Sequence, residues 1–285
     1  MSKEHGFLVI DKPAGITSHD VVAQLRRRLG TKQVGHAGTL DPMATGVLVI
    51  GINNATKFLQ YIVSGKKRYL ATIRLGISTV TDDKEGEVLE VKEWQGIKDE
   101  EINEVLSKFH GTFLQVPSSV SAKKIEGERA YDLVREGKDV ALAAKEVTVD
   151  ALEVLAIRRG ENLDVDIDVS CSAGTYIRAI ARDLGQSLKV GGHLVALRRT
   201  SVAPFELKDA ATVESAEVID LASAISKLMP TRTLGFDEVA ELRFGRRIDR
   251  SNDDGAVAAI GPNGEVAAIL ENQDGRAQPI TVFNS

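Results

Sequence analysis

The sequence predicts an α+β protein with a small β-rich unit towards its C-terminal end. Three observations carry this. Strand-like and helix-like patterns follow one another in mixed order, without the regular βα repeat of a doubly wound sheet. Two apolar stretches between 149 and 171 flank the turn Arg159-Gly160-Glu161-Asn162, as in a hairpin. Beyond residue 230, short apolar runs separated by Gly, Asn and Asp replace the longer elements.

Phe7-Leu8-Val9-Ile10 reads as a short buried strand, closed by the turn Asp11-Lys12-Pro13-Ala14-Gly15. Ser18 suits a helix N-cap. Val21, Val22, Leu25 and Leu29 then keep helical spacing, and Gly30 suits the stop. Arg26-Arg27-Arg28 fall in the last turn, where cations suit the helix dipole, and at least some should face solvent. Residues 47–52 and 69–75 read as strands, and 81–87 as a polar turn. Ile102, Val105, Leu106 and Phe109 mark an amphipathic helix ended by Gly111, and a short helix is expected over 129–135. In the hairpin 149–158 and 163–171, Val165, Ile167 and Val169 alternate with Asp164, Asp166 and Asp168. One face should therefore be buried and the other acidic. Residues 175–188 should form a helix with Ile177, Ile180, Ala181, Leu184 and Leu188 inward, ended by Gly191-Gly192. Met229-Pro230-Thr231-Arg232 marks a junction, so the expected units are 1–230 and 231–285. In the second, 257–260, 266–270 and 280–283 read as apolar runs of a β-rich domain.

Hydrophobic residues make up 43% of the 285, enough for a sizeable core. No apolar run is long enough to span a bilayer. The opening Met1-Ser2-Lys3-Glu4-His5 lacks the apolar stretch and cleavage site of a signal peptide. Cys171 is the single cysteine, which excludes an internal disulfide. A cytoplasmic protein is the simplest expectation. Net charge is -5, which alone argues weakly against a polyanionic partner. Yet residues 1–80 hold eleven Lys/Arg against four Asp/Glu, a net of +7, leaving -12 for the remainder. Such asymmetry suits one face meeting a polyanion, although ordinary solvated surface is the commoner origin of charge runs.

The segment Gly35-His36-Ala37-Gly38-Thr39-Leu40-Asp41-Pro42-Met43-Ala44-Thr45-Gly46 places an acid and an imidazole on a glycine-rich loop beside a buried strand. Asp41 is the leading candidate nucleophile, since a carboxylate can attack an electrophilic carbon. On spacing alone the bland alternative ranks first, because Asp before Pro commonly opens turns. His36 could pair with Asp41 or simply bond to backbone. The five histidines are scattered, the lone cysteine cannot make a zinc knuckle, and the turn at 82–86 lacks EF-hand spacing, so no metal site is expected. No phosphate-binding glycine fingerprint fits. Arg178 falls at a helix start, against the dipole, a mild hint of another purpose. An arginine so placed can pair bidentately with a carboxylate. Lys66-Lys67-Arg68-Tyr69 suits a nucleic-acid backbone and a stacked base, or equally a solvated loop before a strand with Tyr69 in the core. The pairs Lys123-Lys124, Arg198-Arg199 and Arg246-Arg247 are weaker signals of the same kind.

Taken together, these segments resemble the TruB family of tRNA pseudouridine synthases. The motifs run in order: Gly6-Phe7-Leu8-Val9-Ile10-Asp11-Lys12-Pro13, the long His36/Asp41 loop, Ala55-Thr56-Lys57, Lys67-Arg68-Tyr69, Gly174-Thr175-Tyr176-Ile177-Arg178 and Leu197-Arg198-Arg199. The resemblance covers residues 6–205 closely and the tail more loosely. It implies a mixed, largely antiparallel-sheet pseudouridine synthase domain with a shortened PUA-like C-terminal domain. It implies conversion of the uridine at position 55, in the TΨC loop of tRNA, to pseudouridine, with no cofactor. Asp41 matches the catalytic aspartate, which would attack either the sugar C1′ or the base C6. Tyr69 matches the tyrosine that stacks on the base, and Arg178 the arginine that pairs with the aspartate. Tyr176 and Leu197 match residues lining the uridine pocket, and His36 one that helps hold the flipped-out loop. Asp83 matches an aspartate near the substrate, and Lys12, in the first motif, a substrate-binding position. Val120 stands where the family usually has a tyrosine, and Val80 where an aspartate is common. The implied partner is the T arm of tRNA, met by a monomer with no membrane, obligatory protein or guide-RNA partner. A tRNA-binding folding helper with secondary catalysis, and a guide-RNA-dependent relative, are the alternatives.

Overall fold

The computed structural model of the protein describes residues 4–118, 143–283 and the short strands at 124–125 and 128–129. The chain begins with β1 (Gly6–Lys12), α1 (Ser18–Leu29), β2 (Val34–His36), β3 (Thr45–Ile52), α2 (Leu59–Val63) and β4 (Lys67–Leu75). The hairpin β5 (Ile77–Thr79) and β6 (Val88–Val91), α3 (Asp99–Ser107) and β7 (Gly111–Gln115) follow. Next come β8 (Lys124–Ile125), β9 (Glu128–Arg129), β10 (Lys145–Arg159), β11 (Leu163–Cys171) and α4 (Ile177–Ser187). The main body ends with β12 (Gly192–Val202), β13 (Phe205–Glu206), β14 (Ile219–Asp220) and α5 (Leu221–Ile225). Val120 and all of the helix expected over 129–135 except Arg129 lie outside the described residues.

Among the described residues one sheet of ten strands runs β14-β1-β3-β12-β4-β11-β10-β7, with β2 beside β3 and β13 beside β12. Its pairings are antiparallel except β12 against β3. The expected hairpin is β10–β11. Val165, Ile167 and Val169 are fully buried, and the aspartates between them face outward. That outer face is not left acidic. Antiparallel register brings it beside the outward residues of β4, so Arg68 pairs with Asp168 at 2.7 Å and Arg74 with Asp164 at 2.8 Å. Thr72 and Arg158 both meet Asp166.

The central strand β12 is not announced by the sequence pattern. Bulges between Leu194 and Ala196 and between Arg199 and Ser201 break its period-two alternation. Gly111 does not merely stop α3. With φ at +89° it turns the chain straight into β7. Helix α1 is capped by Thr17 rather than Ser18. Thr17 Oγ1 accepts the Asp20 N–H at 3.1 Å while the Asp20 carboxylate accepts the Thr17 N–H at 2.8 Å. Only Thr17 has an acid three residues on to complete that box.

Beyond 230, β15 (Thr231–Thr233), α6 (Phe236–Arg243), β16 (Ile248–Asp249), β17 (Val257–Ile260), β18 (Val266–Gln273) and β19 (Arg276–Val282) form a second sheet, ordered β15-β17-β18-β19-β16. Its inner residues Ala258, Val266 and Ile269 join one apolar cluster with Phe7, Val49 and Leu221 of the main body. The Phe283 ring stacks on Phe58 with centroids 5.3 Å apart, and Lys57 lies over its face.

His193 is buried on β12, its Nδ1 2.9 Å from the Ile77 carbonyl, and burial pushes its imidazole below the usual value. His36 is shifted the same way. As pH falls below about 6.5 the unfolded chain takes up these protons before the folded one, so stability should fall. Urea unfolding across that range should show the loss, and His193→Gln should flatten it. An unchanged slope in the variant would remove His193 as a cause.

Candidate active site

Asp41 sits on the loop between β2 and β3, and that loop is fixed from several sides. The Ala37 N–H donates to Val49 O at 2.8 Å, and the Gly15 N–H to Pro42 O at 2.9 Å. Ser18, one residue inside α1 and fully buried, accepts the Leu40 N–H at 2.9 Å and faces the Leu40 carbonyl at 3.2 Å. Arg199, 1% exposed, reaches from β12 to donate to Val47 O at 2.8 Å and Gly38 O at 3.1 Å. Gly46 permits this approach. Its φ is +101°, and a Cβ there would lie 2.2 Å from the Arg199 carbonyl oxygen. Ser18→Ala should therefore loosen the loop and destabilise the fold by about 1–3 kcal/mol, through two buried backbone groups left unpaired. Denaturant unfolding measures this, and a change near zero would refute it.

Above the loop lies a cleft of about 380 Å³ into which Asp41, Tyr69, Tyr176, Arg178 and Leu197 all open. Arg178, in the first turn of α4, faces Asp41 with Nε 3.0 Å from Oδ2 and Nη2 3.4 Å from Oδ1. Arg178 is 6% exposed. Behind it, Nη1 donates to Thr81 O at 2.9 Å and lies 3.5 Å from the Asp83 carboxylate. Asp83 in turn accepts the Thr81 hydroxyl at 2.5 Å and the Glu85 N–H at 3.0 Å. Tyr69 points inward because β4 alternates, with Lys67, Tyr69 and Ala71 on its buried face. Burial pushes the Tyr69 phenol up, and the nearby Arg199 charge opposes this. A larger groove of about 620 Å³, lined by Asp82, Leu89 and Arg182, holds none of Asp41, Tyr69, Tyr176, Arg178 and Leu197.

Three residues and one basic run stand differently from the sequence expectation. Lys12 lies outside the cleft lining: it is fully buried, and its ammonium donates to the carbonyls of Pro13, Ile16 and Pro42 at 2.8, 2.8 and 3.3 Å. It braces the residue after Asp41. Asp83, 4% exposed, stands behind Arg178 rather than in the cleft. His36 lies outside the cleft lining. Its Nδ1 is buried without a hydrogen-bond partner among the described residues, and its ring packs edge-on against His19, 5.3 Å away. The Lys66-Lys67-Arg68 run is not a free basic strip. Lys66 pairs with Asp150, Arg68 with Asp168, and Lys67 is buried. The Lys67 ammonium caps the carbonyls of Val63 and Gly65 at 2.5 and 2.6 Å, and burial pulls it down to about 8.

Sequence reasoning missed Ser18 as a loop brace, His19, and the central place of Arg199. For Arg199 a signal existed: two arginines inside an apolar stretch without turn residues. Among the described residues no group of three His, Cys, Asp or Glu is placed to hold a metal ion. No helix there is long and apolar enough to cross a membrane.

Residues 26–177 match the family model described as TruB family pseudouridylate synthase (N terminal domain). Residues 178–230 match tRNA pseudouridylate synthase B C-terminal domain, and 229–284 match tRNA Pseudouridine synthase II, C terminal. The tRNA pseudouridine synthase B of Arthrobacter sp. (strain FB24) is 51% identical over 294 residues, covering 98% of this chain and 96% of its own. That of Thermobifida fusca (strain YX) is 49% identical, covering 98% of each. Among solved structures, a chain of an H/ACA ribonucleoprotein bound to a substrate RNA containing 2′-deoxyuridine aligns with a TM-score of 0.71 at 23% identity. The alignment covers 98% of this chain and 85% of that one. A chain of the archaeal box H/ACA Nop10-Cbf5 complex gives 0.71 at 22%, covering 99% and 87%. At these identities the structural likeness speaks for the fold alone.

Sheet, cleft and matched sequence together define a pseudouridine synthase, an isomerase. Within that class the chain belongs to the TruB family.

Proposed function

We propose that the chain converts the uridine at position 55, in the TΨC loop of tRNA, to pseudouridine, with Asp41 as nucleophile on a flipped-out base. Asp41, held by Arg178 at 3.0 Å at the mouth of a cleft that also holds Tyr69, carries this reading. The substrate class follows from the relatives named tRNA pseudouridine synthase B.

A base must leave its stack to reach such a cleft, at a cost of a few kcal/mol. Tyr69 and Leu197 offer faces that offset it. Asp41 adds through one carboxylate oxygen to C1′ or to C6. The N1–C1′ bond breaks, the base turns, the C5–C1′ bond forms, C5 gives its proton to solvent while N1 takes one up from solvent, and Asp41 leaves with the electron pair that bound it. The sum is an isomerisation, with no net oxidation and no group gained. Arg178 orients the carboxylate throughout. Burial keeps the Tyr69 phenol protonated, so Tyr69 acts first as a stacking face. To take the C5 proton it would first have to release its own.

Mass-spectrometric mapping of an unmodified tRNA transcript, incubated with the purified chain alone, tests the proposal. Pseudouridine confined to position 55 is the expected result. Product at another position, or only after a guide RNA is added, would overturn it.

A further inference from the structure

Gln115 ends β7, far in sequence from every residue of the cleft, and is 2% exposed. Its side-chain amide meets one residue twice: Oε1 accepts the Tyr176 N–H at 2.8 Å, and Nε2 donates to the Tyr176 carbonyl at 3.1 Å. Tyr176 is the N-cap residue of α4, in extended conformation (φ -102°, ψ 108°), with no side-chain cap of its own. A primary amide is the side-chain group that supplies one donor and one acceptor side by side, as a neighbouring strand would. Gln115 thus extends the edge of the main sheet by one residue, across to the start of the helix that carries Arg178.

The residues after Gln115 reinforce the same junction. Arg182 donates to the Val116 carbonyl at 2.8 Å, and Ser118 Oγ lies 3.4 Å from Arg178 Nη1. Gln115 itself is fixed, because β7 is registered on β10 with Gln115 opposite Lys145. Tyr176 points into the cleft, and Arg178, two residues on, faces Asp41. A shift of the Tyr176 backbone would move both.

We propose that Gln115 is a positioning residue for the isomerisation, setting the Tyr176 ring and the Arg178 guanidinium by clamping the Tyr176 peptide to the sheet. This role rests on the proposed reaction, and wild-type turnover in the same assay keeps the two apart. A wild-type chain that makes no pseudouridine overturns the function itself.

The test is Gln115→Met, of similar length and without either bond, assayed for kcat, KM and tRNA affinity alongside thermal unfolding. A folded variant should lose roughly tenfold to a hundredfold in kcat, as misplacement by about 1 Å does. KM and tRNA Kd should stay within about threefold, since the lost contacts act in the transition state. Gln115→Leu, a second apolar substitution of similar volume without either bond, guards against misfolding of the Met variant, and it too should lose kcat. In an Arg178→Lys background Gln115→Met should cost much less than in the wild type, because residues acting through one another are non-additive. Wild-type kcat in either folded variant, a loss confined to tRNA affinity, or full additivity with Arg178→Lys would overturn the role.

Discussion

Asp41→Asn is expected to cut pseudouridine formation by roughly a thousandfold or more, on the scale of other nucleophile deletions. The two side chains are nearly isosteric, so loop and cleft should hold their shape. What goes is the anionic oxygen that adds to carbon. The fold should tolerate the change, because the Asp41 side chain is 35% exposed and Arg178 keeps Thr81 O and Asp83 behind it. Binding of tRNA should therefore persist while product does not. A time course of product by mass spectrometry, paired with filter binding, checks both halves. Turnover within tenfold of wild type would remove Asp41 as the nucleophile.

Arg178→Met should act on activity and stability together. It strips Asp41 of its orienting partner and leaves the Asp83 carboxylate, 5% exposed, without a cation. Breaking a buried pair from one side is far costlier than the pair is worth, because the remaining charge stays desolvated. Asp83 keeps the Thr81 hydroxyl and the Glu85 N–H, so the low end applies, about 3 kcal/mol of lost stability. Turnover should fall by roughly a hundredfold or more as the nucleophile loses its aim. Arg178→Lys keeps the charge but not the fork, and should recover more stability than turnover. Urea unfolding and initial rates measure the two. Wild-type stability in the Met variant would mean that Asp83 does not depend on Arg178.

What the sequence revealed and what it hid divide along one physical line. Local period and turn chemistry announced β1, α1, β4, the β10–β11 hairpin and the three long strands of the tail. Family motifs picked out Asp41, Tyr69, Tyr176, Arg178 and Leu197, which the fold brings to one cleft. Strand neighbours were not legible. Lys66 and Arg68 read as free cations because nothing in their own segment shows that Asp150 and Asp168 lie beside them. Lys12 read as a binding residue because a motif names a position, not the direction in which its side chain turns. Arg199 read as half of a basic pair, and β12 was overlooked, because bulges scramble the alternation of a strand that the sheet nevertheless buries at its centre. Ser18 has the residue type of a cap yet braces Leu40, since capping and bracing draw on the same hydroxyl.

The stacking of Phe283 on Phe58 bears on the order in which the molecule can be made. Phe58 leaves the ribosome early and Phe283 long after it. Until the second sheet has been made, the apolar surface that both share with Phe7 and Val49 has no cover from Ala258, Val266, Ile269 or Phe283. Nascent chains at that stage present an adhesive patch to chaperones and to one another. The stacking of Phe283 on Phe58 thus adds cover to a surface that is apolar from early in synthesis.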